Sequence, residues 1–132
     1  MKVEIEVSFG ELLDKLSILE IKSTKITDPN KLKNINNELS KLKKISKKIK
    51  EQNAEKFDLF YMELLETNNK LWTIEDEIRI CEKNNNFDNT FIKLARDVYF
   101  TNDERFKIKN EINKFYNSGV IEEKEYIEYD SN

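Results

Sequence analysis

FYMELLETNNKLWTIEDEIRICEKNNNFDNTFIKLARDVYFTNDERFKIKNEINKF, residues 60–115, is the stretch whose reading decides the fold. Its first half sets Phe60, Leu64, Thr67, Leu71, Ile74, Ile78 and Cys81 in steps of four and three, the spacing of one helix face. Asn84, Asn85 and Asn86 then break the pattern, and Asp88 or Asn89 stands ready to cap the next helix. The second half places Phe91, Ala95, Val98, Arg105, Ile108, Ile112 and Phe115 on one stripe, with Ile92, Tyr99 and Phe106 on another. Two helices of roughly 28 residues, each about 40 Å long, therefore fold back on one another about Asn86.

Working outward, the same logic yields a second pair. Ser8 followed by Glu11 is a capping box opening a helix over residues 8–27, striped by Leu12, Leu16, Leu19 and Ile26. Asp28-Pro29 ends it and starts a helix over 29–51, whose Leu32, Ile35, Leu39, Leu42, Ile45 and Ile49 approach a heptad seam. The other two helices span 55–83 and 88–117, and Ser118-Gly119 stops the last. Residues 1–7 alternate polar and apolar, with Val3, Ile5 and Val7 on one side, so a short strand is expected there. A tail over 118–132 is the candidate to pair with it. The expected fold is mainly α: a single-domain four-helix bundle of two antiparallel helical hairpins.

Composition fits this reading. Charged residues make up 37% and hydrophobic ones 38%, with two Gly and one Pro. So few turn formers suit long helices. The net charge of −3 supplies no general drive toward nucleic acid. The Lys-rich second helix lacks both Arg and interleaved aromatics, and reads as a solvated face. One Cys excludes an internal disulfide and, with no apolar leader at the start, points to a cytoplasmic protein. No run is long enough for a membrane span. Histidine is absent, which removes the commonest general base and most zinc sites. Any catalysis would use carboxylates, Lys, Tyr or a carboxylate-bound metal, and no cofactor motif is present.

Two polar windows interrupt the apolar pattern, residues 66–70 (ETNNK) and 101–104 (TNDE). In a hairpin folded about Asn86, facing positions sum to roughly 172, so Asn68 faces Glu104 and Asn69 faces Asp103. Arg105 points inward beside Asn102. The first hairpin brings Glu20 and Lys22 opposite Asn36 and Asn34. Asn68, Asn102, Asp103 and Arg105 form a candidate polar layer, joined by Glu20 and Lys22 if the layers of the two hairpins meet, that either fixes helix register or binds a small anion. If Arg105 lacks a partner charge, its replacement by Leu stabilises the fold. Arg79 is explained by an ion pair four residues back to Glu75, and Arg96 is expected to serve Asp103 or a neighbouring helix. Trp72 is a core or interface anchor, and Cys81 a small hydrophobe.

Glu11/Asp14 and Glu63/Glu66 have the spacing used for Mg²⁺ by all-α nucleotide pyrophosphohydrolases, but in reversed order, and adjacent carboxylates on an exposed face explain them. By contrast, GELLDKLSILEIK (10–22), LWTIEDEIR (71–79), FIKLARDVYFTNDERFKIKNEIN (91–113) and IEEKEY (121–126) together resemble a family of small bacterial and phage helical proteins classed only as a domain of unknown function. That resemblance implies a helical scaffold and carries no site residue. Long helices overhanging shorter ones, with no recognisable ligand spacing, lead to the expectation of a non-enzymatic homodimer or protein-binding module. The alternative is a bundle whose internal layer binds, or isomerises, an anionic metabolite.

Overall fold

The computed structural model describes residues 1–129 and contains four α-helices: α1 (Phe9–Lys25), α2 (Pro29–Gln52), α3 (Ala54–Lys83) and α4 (Asn89–Phe115). Each start is capped by a short polar side chain. Ser8 accepts from the Glu11 amide, Asp28 from Asn30 and Lys31, Asn53 from Lys56, and Asp88 from Thr90 and Phe91. Such caps satisfy amides that no intrahelical carbonyl can reach. The weak break between the second and third helices narrows to one residue, Asn53 (φ −160°, ψ 90°).

The two long helices α3 and α4 are each followed by a left-handed asparagine. Asn85 and Asn117 both adopt φ 51°, the left-handed conformation that Asn tolerates better than other side chains. Neither glycine has positive φ. Asn117 thus sits at the turn where Ser118-Gly119 was expected to supply the stop.

α1 packs against all three other helices, α3 and α4 run against one another, and α2 touches only α1 and α3. The main core gathers Leu12, Leu13, Leu16, Leu19, Ile35, Leu39, Ile49, Phe57, Phe60, Leu64 and Ile112. Phe9 stacks on Tyr116 at 5.2 Å, and Phe60 meets Phe115 edge-on at 5.6 Å. A second, smaller cluster of Ile74, Cys81 and Leu94 lies far along α3 and α4, backed by Ile78, Phe91 and Val98. There the two long helices project beyond the reach of α1 as a two-helix arm.

The expected strand does not form: residues 1–7 carry no regular secondary structure, and no strand occurs among the described residues. Its proposed partner lies elsewhere. Residues 120–129 contain four Glu and one Lys and would confront Glu4 and Glu6 with like charge. The tail turns instead to α4, where the Tyr129 ring sits 4.9 Å from Phe100 and 5.6 Å from Tyr99. Lys124 lies over the Phe106 ring at 5.1 Å. The last part of the expected tail, residues 130–132, falls outside the described residues.

Gly10 marks the closest approach of α1 to α4. A Cβ there would lie 2.6 Å from the Lys109 carbonyl oxygen and 2.9 Å from Asn113 Oδ1. The Gly10 amide also donates to that Asn113 oxygen at 2.7 Å. The obstacle is backbone, so a methyl group can be admitted only by separating the helices. Gly10→Ala is expected to lose about 1–3 kcal/mol in urea unfolding, despite alanine's better helix propensity.

Candidate functional site

Between the two apolar clusters lies a polar layer built on Asp14. Its residue is 1% exposed. Arg105 grips the carboxylate with two parallel bonds, Nε to Oδ1 at 2.8 Å and Nη2 to Oδ2 at 2.5 Å. Asn68 Nδ2 donates to Asp14 Oδ1 and to Ser17 Oγ, both at 2.9 Å, and Ser17 Oγ donates to the Asp14 carbonyl at 2.7 Å. A planar guanidinium on a carboxylate is the arrangement best able to offset the cost of burial. The bonds that Arg105 donates to Asp14 raise its pKa, outweighing the opposing effect of burial.

One turn further along α4, Lys109 extends the layer. Its ammonium lies 2.9 Å from Glu11, 2.6 Å from Glu122 of the tail and 4.0 Å from Asp14, with the side chain only 8% exposed. Burial acts to lower the Lys109 pKa, but the ammonium's contacts to the accepting carboxylates of Glu122 and Glu11 outweigh it and leave the pKa raised. Burial likewise raises the pKa of Tyr116.

A raised folded-state pKa means the native chain holds its proton more tightly than the unfolded chain. The stability this provides is complete below the unfolded values, 10.0 for Tyr and 10.5 for Lys, and is lost as pH rises through the folded ones. Melting temperature is therefore expected to fall above about pH 10. Lys109→Met should make that decline shallower in a thermal melting series against pH.

The expected site residues fall into three groups. Asn68 and Arg105 come together, on a carboxylate of α1. Asn102 and Asp103 lie on the outer side, half-buried; Asn102 lines a recess of about 130 Å³ with Arg105, Phe106, Lys109, Glu122 and Lys124, and Asp103 accepts from the Tyr129 hydroxyl. Lys70, not Asn68, faces Glu104, at 3.8 Å. The remaining four stand apart. Arg79 pairs with Glu75 at 2.7 Å on an exposed face. Arg96 lies 5.7 Å over the Phe100 ring and does not serve Asp103. Glu20 accepts from the Tyr61 hydroxyl on α3, and Lys22 is half-buried near the end of α1, while Asn34 and Asn36 are exposed.

The sequence pattern does not single out Ser17, Lys109, Asn113 or Glu122, and it assigns Asp14 to an exposed face, whereas the structure buries it. The signal was a stripe without large side chains. Gly10, Asp14 and Ser17 share one face of α1 in steps of four and three, all buried. Thr101, Arg105, Lys109 and Asn113 follow one another every four residues along α4. The two stripes meet where Gly10 lets the helices close.

The charges of the layer are matched, although among the described residues Thr101 Oγ1 and Asn113 Nδ2 are buried without a hydrogen-bond partner. Three carboxylates surround two cations, so an added anion finds no unmatched positive charge. Among the described residues, no group of three or more acidic, Cys or His side chains could hold a metal ion. No helix among the described residues is long and apolar enough to cross a membrane.

These features define a helical bundle whose core is divided by an internally neutralised ionic layer. A model of the family of unknown function DUF6165 matches residues 1–131, and the chain belongs to that family. No curated protein and no solved structure matches the chain.

Proposed function

We propose that this is a non-enzymatic helical protein that works by self-association, as a homodimer of two-hairpin bundles in the cytoplasm. One observation carries the reading. An open groove of about 960 Å³ lies between the N-terminal segment, α1 and α2, with Val3, Ile5, Leu12, Leu42, Ile45 and Ile49 in its walls. Val3, Ile5 and Ile45 are 76%, 78% and 56% exposed. An apolar surface with a polar rim is the usual mark of an association site. The rim carries Lys2, Lys15 and Lys41 together with Glu4, Glu11 and Glu38, an equal mixture of signs. That balance suits a two-fold contact, in which the same patch must complement itself.

Sedimentation equilibrium tests the proposal. A dimer is expected, and Ile45→Glu should give monomers whose circular dichroism and melting stay close to the wild type, because Ile45 is 56% exposed and lies outside the buried core cluster. A wild-type chain that sediments as a monomer across the accessible concentration range would overturn it.

The metabolite-binding alternative has less support, since a ligand anion would have to displace Glu122 or Asp14 from its cation. Thermal melting against phosphorylated and carboxylated metabolites decides it. A true ligand at a hundred times its dissociation constant adds about 2.7 kcal/mol.

A further inference from the structure

We infer that residues 1–5 form a β-strand in trans, pairing antiparallel with the same segment of a second copy and with Val3 on the two-fold axis. This rests on the self-association reading and specifies its contact.

The segment has the pattern of a strand and lacks a partner. Val3, Ile5 and Val7 alternate with Lys2, Glu4 and Glu6, the period of a half-buried strand. Yet among the described residues nothing pairs with it, and Val3 and Ile5 are mostly exposed. The acidic tail, the one candidate within the chain, is committed to α4 by Glu122, Lys124 and Tyr129. A strand pattern that finds no mate in its own chain is a template for another chain.

Charge then selects the register. Pairing about Val3 sets Lys2 opposite the partner's Glu4, Glu4 opposite the partner's Lys2, and Ile5 opposite the partner's Met1. Opposite charges directly across a ladder are favourable. Moving the axis one residue to Glu4 keeps two opposite-charge pairs, Lys2 across from Glu6 in each direction, but adds a Glu4 facing its own copy, and like charges so placed are unfavourable. Lys2 and Glu4 already form an ion pair at 2.7 Å within one chain, both highly exposed, so they share a face and can exchange partners at little cost.

A bare two-stranded ribbon is marginal in water. Here Val3 and Ile5 form one wall of the groove whose floor is Leu12, Leu42, Ile45 and Ile49. The ribbon's apolar face would cover that groove in both copies.

Disulfide trapping tests the register in the full-length chain, with Cys81→Ala to remove the native thiol. In the inferred ribbon, Val3→Cys sits opposite itself at about 4.5–5.5 Å between Cα atoms, within bridging range. Glu4→Cys lies diagonal to its copy at about 7–8 Å, beyond easy bridging. Lys47→Cys on α2 serves as the collisional control. The expected result is rapid dimer formation by Val3→Cys under mild oxidation, with Glu4→Cys and Lys47→Cys slow and alike. Dimers in sedimentation with Val3→Cys no faster than either of the others would overturn the ribbon and leave self-association standing. Monomers in sedimentation with no preferential linkage would overturn both.

Discussion

Arg105→Leu is expected to destabilise the protein by about 3–5 kcal/mol, because it leaves the Asp14 carboxylate buried without its cation. Asp14 cannot turn to water: it is 1% exposed and sits in the middle of α1. Asn68 still donates to it at 2.9 Å, but Lys109 stands 4.0 Å away and is already engaged by Glu11 and Glu122. Asp14→Leu should cost less. The Arg105 side chain is 26% exposed, and a long guanidinium beside the tail can swing outward to solvent. The double variant removes both charges and fills the space with apolar atoms, so it should recover most of the loss. Urea unfolding of the four proteins gives the coupling energy directly. An Arg105→Leu chain as stable as the wild type would mean that Asp14 is not held in this environment.

The outcome of that substitution could not have been signed from the sequence alone. An inward Arg without a partner is better replaced by Leu, and the partner was not visible. What could be read was the level at which the helices interrupt their apolar pattern. With Asn84–Asn86 as the bend, residues 66–70 and 101–104 had to fall side by side, and the ion pair between Lys70 and Glu104 lies at that level. Caps were equally legible, because Ser8, Asp28 and Asp88 each precede a periodic run and do one local job.

Asp14 was not legible, for a physical reason. A single carboxylate one step after Leu13 has the same local pattern whether water or a guanidinium awaits it. Only the distance between α1 and α4 decides, and that distance is set by the missing Cβ of Gly10, whose partner Asn113 is 103 residues away in sequence. The strand expected over residues 1–7 failed differently. Alternation describes what a segment can pair with, and says nothing about whether its mate lies in the same chain.

Leu64→Ala is expected to be the other severe substitution, costing about 3–5 kcal/mol, whereas Leu94→Ala should cost clearly less. Leu64 is fully enclosed among the eleven buried residues of the main core, where helices α1, α2, α3 and α4 all contribute. A cavity made there has rigid walls on every side and cannot collapse, so both the transfer loss and the void are retained. Leu94 packs in the arm against buried Ile74 and Cys81 and the partly buried Ile78, Phe91 and Val98. With two helices in place of four, the arm can close around a smaller side chain or open to water. The difference should also be spatial. Hydrogen exchange of Leu94→Ala should accelerate amides along the outer parts of α3 and α4 while leaving the α1 amides at wild-type rates. Exchange of Leu64→Ala should rise throughout the bundle together, because unfolding that core is unfolding the protein. The ionic layer is the divide between these regimes: Asn68 lies between Leu64 and Ile74 on α3, Arg105 lies between Leu94 and Ile112 on α4, and both are tied to α1 through Asp14. If Leu94→Ala also released the α1 amides, the two clusters would form one cooperative unit and the layer would not separate them.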